Sequence, residues 1–283
     1  MSRRVALVAN PRSGTGVETS EIEELLTRNG AAVERFELDD AQAAARSGAE
    51  RVAIAGGDGS IGTAAAAAAA SGVTLAVIPT GTANDFARAL GLPVELEPAC
   101  ALAAGEGPTR RIELGRLDGR PFVNVASAGL AVAAAREAKR WKRVLGPVAY
   151  ALGALRAGMS AGPLECRVSC DGQELFAGPA WQVIVTCSGA FGGGSSVEEA
   201  SPSDGRLDAT VIEAGSRARL VVHAYGLRFG RIVAQRGVHH TRAVSVDVTV
   251  PAGTAFNVDG ELTERGNARF EIEPAAVELL IPA

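Results

Sequence analysis

The chain has 283 residues, 47% of them hydrophobic, and a formal net charge of -4. That length supplies core for one large domain or two modest ones. The slight acidic excess excludes nonspecific nucleic-acid binding, which needs a strong basic surplus.

The N-terminal MSRRVALVANPRSG lacks the long apolar core and small-residue cleavage site of a signal peptide. RRVALVAN reads as a buried strand, and ETSEIEELLTRNG as a helix with Ile22, Leu25 and Leu26 on its apolar side. AAVERFEL is a second strand, DDAQAAARSG a short helix, RVAIA a third strand, SIGTAAAAAAASG a helix and LAVIP a fourth strand. The alanine-rich helix, interrupted at Ser71 and Gly72, is too weakly hydrophobic to span a bilayer. Strands alternating with helices at this spacing predict a parallel sheet whose ligands sit at the carboxyl ends of the strands.

From Thr109 the character changes. RRIELGRLDGRPFVNVASAG has hairpin logic around Asp118-Gly119, and helical stretches are expected at Leu130–Arg143, Pro147–Met159 and Arg217–Gln235. Short alternating segments fill the rest, LECRVSC to ARFEIE, mostly antiparallel sheet. The expected fold is therefore α/β: an N-terminal parallel nucleotide-binding domain over 1–112 and a β-rich, sandwich-like domain over 113–283, with a cleft between them. Cys100, Cys166, Cys170 and Cys187 lack zinc-type spacing and read as reduced, buried hydrophobes. His223, His239 and His240 have no ligand spacing.

Three glycine loops follow strands on one sheet edge: NPRSGTG, GGDGS and PTGTANDF. Asn10, Ser13, Thr15, Thr80 and Thr82 offer polar donors, while Gly14, Gly16, Gly57, Gly59 and Gly81 allow close backbone approach. Helices starting near Ser60 and Asn84 would present N–H groups and a positive dipole end. Together they suit a polyphosphate. Asp58, at the centre of this cradle, is then a puzzle, because a carboxylate beside a phosphate costs about 4 kcal/mol at about 4 Å. It must hold magnesium, directly or through water, or take a proton from an attacking hydroxyl. Asp85 poses the same question. Paired carboxylates beside a phosphate cradle indicate phosphoryl transfer. No GxxxxGK[ST] is present, and Thr19 stands where a dinucleotide fingerprint needs its third glycine, which disfavours a dehydrogenase.

With NPRSGTG, GGDGS, PTGTANDFARALGLP, FVNVASAGL, LGPVAYAL, FGGG…ASPSDGRLDATVIE and FNVDGE in order along nearly the whole chain, the sequence resembles the diacylglycerol kinase and sphingosine kinase catalytic superfamily, especially its bacterial lipid-kinase branch. The resemblance implies ATP bound between the two domains, with Gly56, Gly57, Asp58, Gly59 and Ser60 at its phosphates and Thr80, Gly81 and Thr82 completing the cradle. Asn10, Ser13, Gly14 and Asp85 join the nucleotide site. Asp204 and Asp208 of DGRLD match a region linked with structural Mg2+. Asp259 and Glu261 of VDGE match the catalytic region, where the aspartate is the proposed base; in sphingosine kinases the GGDG-type aspartate, here Asp58, is given that role, so the base stays open. Thr15 replaces a lysine common in relatives, with Arg12 or Arg88 as candidate substitutes.

These residues lead to the expectation of an ATP- and Mg2+-dependent kinase of a membrane lipid such as diacylglycerol, acting in phospholipid metabolism. It would be cytoplasmic and peripherally bound to an anionic membrane surface, with a homodimer left open. AREAKRWKRVLG, which holds the only two lysines, is the first candidate for membrane contact, and SRARLVVHAYGLRFGRIVAQRG carries a weaker form of the signal. The rivals are a kinase of a soluble substrate, of NAD kinase-like type, and a noncatalytic nucleotide- or lipid-binding module.

Overall fold

The computed structural model describes residues 2–10, 16–134, 161–192, 195–197, 201 and 203–283. Val5 to Ala9 are all buried, so β1 (Arg3–Ala9) is an inner strand. Its parallel neighbours are β2 (Ala31–Glu37) and β3 (Arg51–Gly56), and β4 (Thr74–Pro79) follows beyond β3. Strand alternation sorts their side chains between two helical layers. Ala6, Val8, Ile54 and Val77 meet α2 (Ala41–Arg46), α3 (Asp58–Ser71) and α4 (Asp85–Ala89) on one face. Val5, Leu7, Ala53 and Ile78 meet α1 (Thr19–Arg28) and α5 (Leu96–Ala104) on the other. The sequence assignment omits α5. Its segment LEPACALAA buries Ala99, Cys100, Ala103 and Ala104, but of its exposed positions Glu97, Pro98 and Ala101 only one is polar, so little contrast reveals the helical period.

The second half is antiparallel. β5 (Thr109–Leu117) and β6 (Arg120–Phe122) form the expected hairpin, with Asp118 and Gly119 both at positive φ. Then come β7 (Val125–Gly129), β8 (Leu164–Cys170), β9 (Gln173–Thr186), β10 (Ala190–Gly192), β11 (Ser195–Ser196), β12 (Leu207–Glu213), β13 (Val238–Ala243), β14 (Ser245–Val258) and β15 (Glu261–Leu280). All but β10 and β11 join one sheet with the first half, along the path β13-β12-β9-β7-β14-β15-β4-β3-β1-β2, with β5, β6 and β8 branching from it. Phe122, Phe256 and Phe270 centre the second core, with ring centroids 6.1 and 6.3 Å apart. All four cysteines are free and buried.

Two helical expectations change. The helix placed at Arg217–Gln235 is α6 (Arg219–Arg228); it ends before Gly230, which takes φ 65 in the left-handed region. Of the stretches at Leu130–Arg143 and Pro147–Met159, residues 130–134 are helical and the rest lie outside the described residues, as does all of AREAKRWKRVLG.

Candidate active site

The carboxyl ends of β1, β3 and β4 bring the cradle together. Asn10 donates from Nδ2 to Ser60 Oγ (2.8 Å), and the Thr80 N–H donates to the Gly56 carbonyl (3.0 Å). The loop after β4 is braced by Asn84, whose Oδ1 accepts the Gly81 N–H at 2.9 Å. That geometry holds Asn84 at φ 52, a conformation asparagine tolerates better than most residues. A Cβ on Gly81 would lie 2.7 Å from Gly57 Cα. The two loops therefore touch backbone to backbone, and neither accepts a side chain there. Gly57 is the N-cap of α3, so the positive end of that helix opens onto the cradle. Thr82 is exposed beside it. Ser13, Gly14, Thr15 and Arg12 lie outside the described residues, and Arg88 donates to the Ala83 carbonyl (3.2 Å).

Asp58 does not face the cradle as a bare charge. Its Oδ2 accepts the Asp85 N–H (3.2 Å), and its Oδ1 accepts the Phe86 N–H (2.9 Å) and Asn124 Nδ2 (3.0 Å). It thus caps α4 from another element. This narrows the expectation that both helix N-termini offer N–H groups to a ligand: at α4 those of Asp85 and Phe86 are taken by Asp58.

The VDGE turn faces the cradle from the second half. Asp259 and Gly260 connect β14 to β15, both at positive φ, as a two-residue hairpin requires. Asp259 is buried, and its carboxylate accepts three backbone N–H groups: Val123 on Oδ2 (2.7 Å), and Asn124 (3.0 Å) and Val125 (2.9 Å) on Oδ1. Burial pushes its pKa up to about 7; the three N–H groups oppose that shift and the Asp58 charge adds to it. A Cβ on Gly59 would sit 3.1 Å from the Asp259 carbonyl, so GGDG and VDGE are in contact.

Asn124 joins the two aspartates: its amide N–H holds Asp259, its side-chain Nδ2 holds Asp58, and its Oδ1 accepts Ser188 Oγ (2.8 Å). Nothing in the spacing of FVNVASAG points to this role for Asn124. A single buried amide inside an apolar run was the available signal. Glu261 is half-exposed and pairs with Arg120 at 2.5 Å.

The DGRLD acids sit elsewhere, at the start of β12. Asp204 accepts the Arg206 N–H (3.0 Å) and lies 3.7 Å from Arg242, while Asp208 Oδ1 meets Arg242 and His240, each at 3.3 Å. Beside them is Glu113 of β5, whose Oε2 accepts the Gly205 N–H (2.7 Å). Burial raises its pKa to about 7, and Asp204 and Asp208 add to the shift against that hydrogen bond. Among the described residues no three acid, His or Cys side chains form a ready-made metal sphere. Yet Asp208 Oδ2 and Glu113 Oε1 are both buried without a partner. Such oxygens are costly alone and are the hard donors that Mg2+ prefers. Glu113 too went unassigned in the sequence reading, although a charged residue within the apolar run RIELG marks it.

An anion cradle touching a buried carboxyl that titrates near 7 is the equipment of a phosphotransferase. Residues 4–117 match the diacylglycerol kinase catalytic domain, and residues 124–281 match the YegS C-terminal NAD kinase beta sandwich-like domain. The diacylglycerol kinase of Bacillus subtilis (strain 168) is 30% identical over 280 residues, covering 92% of this chain and 90% of that protein. A solved structure of a diacylglycerol kinase from Bacillus anthracis str. Sterne superposes with TM-score 0.79 at 22% identity, covering 99% and 97% of the two chains. An NAD kinase from Archaeoglobus fulgidus solved with ATP shares the fold more distantly, with TM-score 0.52 at 16% identity over 98% and 93%. The chain belongs to the diacylglycerol kinase-like lipid kinase family.

Proposed function

We propose that this protein transfers the γ-phosphoryl group of ATP to a hydroxyl of a membrane lipid, diacylglycerol being the first candidate. The observation that carries the reading is the contact of the GGDG cradle with the VDGE turn across Gly59, which brings a phosphate site and a proton acceptor together. In this reading residues 1–112 hold the nucleotide and 113–283 the acceptor. Asn10, Ser13, Gly14, Gly56, Gly57, Gly59, Ser60, Thr80, Gly81 and Thr82 surround the phosphates, and Asp85 contributes through its place at the start of α4.

Asp259 is the base. Its pKa near 7 lets it take the proton of the acceptor hydroxyl as the oxygen attacks the γ-phosphorus and ADP leaves. Asp58, whose carboxylate already holds α4 and Asn124, is a positioning residue. Glu261, tied to Arg120, orients the turn after Asp259. Mg2+ would be held by Asp208 and Glu113, with Asp204 beside them, and supplies compensation of negative charge. Substrate access implies peripheral association with the membrane.

Transfer of labelled γ-phosphate to diacylglycerol in mixed micelles tests the reading, with NAD as the soluble rival. A labelled, Mg2+-dependent lipid product lost in Asp259→Asn is expected. Label in NAD alone would move the protein to the soluble-substrate class, and ATP binding without transfer would make it a binding module.

A further inference from the structure

Helix α6 is apolar on two sides. Inward, Leu220 and Leu227 pack over Trp181, Ile184 and Ile232. His223 is held by Gln235 (2.8 Å), whose amide also donates to the Val222 carbonyl (2.9 Å). Outward, Val221, Val222, Tyr225 and Phe229 fall on one stripe at helical spacing and are 74, 55, 58 and 57% exposed. The rings of Tyr225 and Phe229 stack at 4.4 Å. Scattered surface apolar residues need no explanation, but four large ones aligned on a single helix do.

The helix and its flanks carry charge of one sign in sequence. Residues 214–236 contain five arginines and no Asp or Glu, in a chain whose net charge is -4. Arg219 and Arg228 belong to the helix itself, and Arg219 donates to the Arg236 carbonyl (2.7 Å), which ties the following loop to it. An apolar stripe bordered by guanidinium groups complements the surface of an anionic bilayer, where the apolar residues enter the acyl boundary and the cations lie at the phosphate level. A second copy docking through the same face would set these arginines against their own symmetry mates.

The position of α6 gives the face a purpose. The backbone of β10 runs beside α4, and that of its partner β11 beside α6. Val125, whose N–H holds Asp259, joins the apolar cluster beneath α6 together with Leu130. Through this cluster α6 is joined to the strand whose backbone holds Asp259.

We propose that α6 is a docking helix for anionic bilayers, which seats the acceptor half on the membrane. The proposal deepens the lipid-acceptor reading above and rests on it for its purpose. The test is co-sedimentation of the full chain with phosphatidylcholine vesicles with or without phosphatidylglycerol, in parallel with phosphorylation of monomeric dioctanoylglycerol. The wild type should bind phosphatidylglycerol vesicles at least tenfold more tightly than neutral ones, and less tightly as salt rises. Tyr225→Ala/Phe229→Ala should weaken that binding at least tenfold and leave turnover of the monomeric acceptor within twofold. Arg219→Gln should weaken it about fivefold, the worth of one arginine near such a surface.

Absence of wild-type binding to anionic vesicles, or a double variant that binds as well as the wild type, would overturn the assignment. So would a double variant that turns a dimer into a monomer while its vesicle binding is unchanged. Vesicle binding through α6 without phosphorylation of any acylglycerol upholds docking and removes the acceptor reading instead.

Discussion

Asp259 and Asp58 are both carboxylates in glycine turns, yet their surroundings separate them. With Asp259 as the base, kcat/KM should rise with pH as its carboxyl ionises and level off above about 7, since only the ionised form accepts the proton. Asp259→Asn should lower kcat by about 100-fold or more and erase that step; a pH–rate profile of both proteins decides it. Asp58→Ala should cost about 1–2 kcal/mol in urea unfolding, because the N–H groups of Asp85 and Phe86 lose their cap. Asp58→Asn keeps an acceptor oxygen and should lose less. The puzzle that Asp58 presents in sequence has a third answer beyond metal and base: its charge is spent on the start of α4. Its partners Phe86 and Asn124 lie 28 and 66 residues further along the chain, so no local spacing could show them.

At the scale of elements, the segment leading into β12 meets β5 through the Gly205–Glu113 hydrogen bond, which places Glu113 beside Asp204 and Asp208. Without metal, Glu113 binds its proton more tightly in the folded state than in the unfolded chain. Its contribution to stability is therefore full below about pH 4.5 and is lost as pH rises through about 7. Glu113→Gln should flatten that part of the stability–pH curve. If the unpaired oxygens of Asp208 and Glu113 take up Mg2+, adding it at pH 8 should raise Tm in the wild type and not in Glu113→Gln; thermal melts with and without Mg2+ read this directly. The elements themselves were largely legible in sequence. Strands β1, β3 and β4 announce themselves through continuous apolar runs, and the Asp-Gly hairpins at Asp118, Asp171 and Asp259 through their turn residues. Helix α5 did not, because its exposed positions include Pro98 and Ala101, so its outer side offers little polar contrast to the buried one. Helix α6 was drawn too long, because arginines and apolar residues continue past Gly230, where the backbone turns.

Over the whole molecule, the C-terminal strand binds the halves together. β15 runs antiparallel to β14 up to Glu271, breaks register between Glu273 and Val277, and continues beside β5 and, at Leu279, parallel to β4. Ala275, at φ 50, makes the bend. Val277 and Leu279 thereby enter the core of the nucleotide half with Ile54 and Leu75, and Leu280 enters its opposite face. Each of these fully buried side chains is worth about 2 kcal/mol. Deleting residues 276–283 should therefore remove most of the roughly 5–15 kcal/mol that holds a domain folded. Circular dichroism melts should show the loss in both halves, not only the second.

The amino-acid sequence determined the parts with a local cause. Strand and helix periods follow from where apolar residues recur, hairpins from Asp-Gly pairs that tolerate positive φ, and the cradle from glycines at strand ends. The order of these motifs was enough for the family resemblance. Tertiary structure alone decided what each carboxylate does. Whether Asp58 caps a helix, Asp259 titrates near neutrality or one oxygen of Glu113 lacks a partner depends on which backbone N–H groups and which buried surfaces arrive from distant segments, and desolvation and hydrogen bonding act through space, not along the chain.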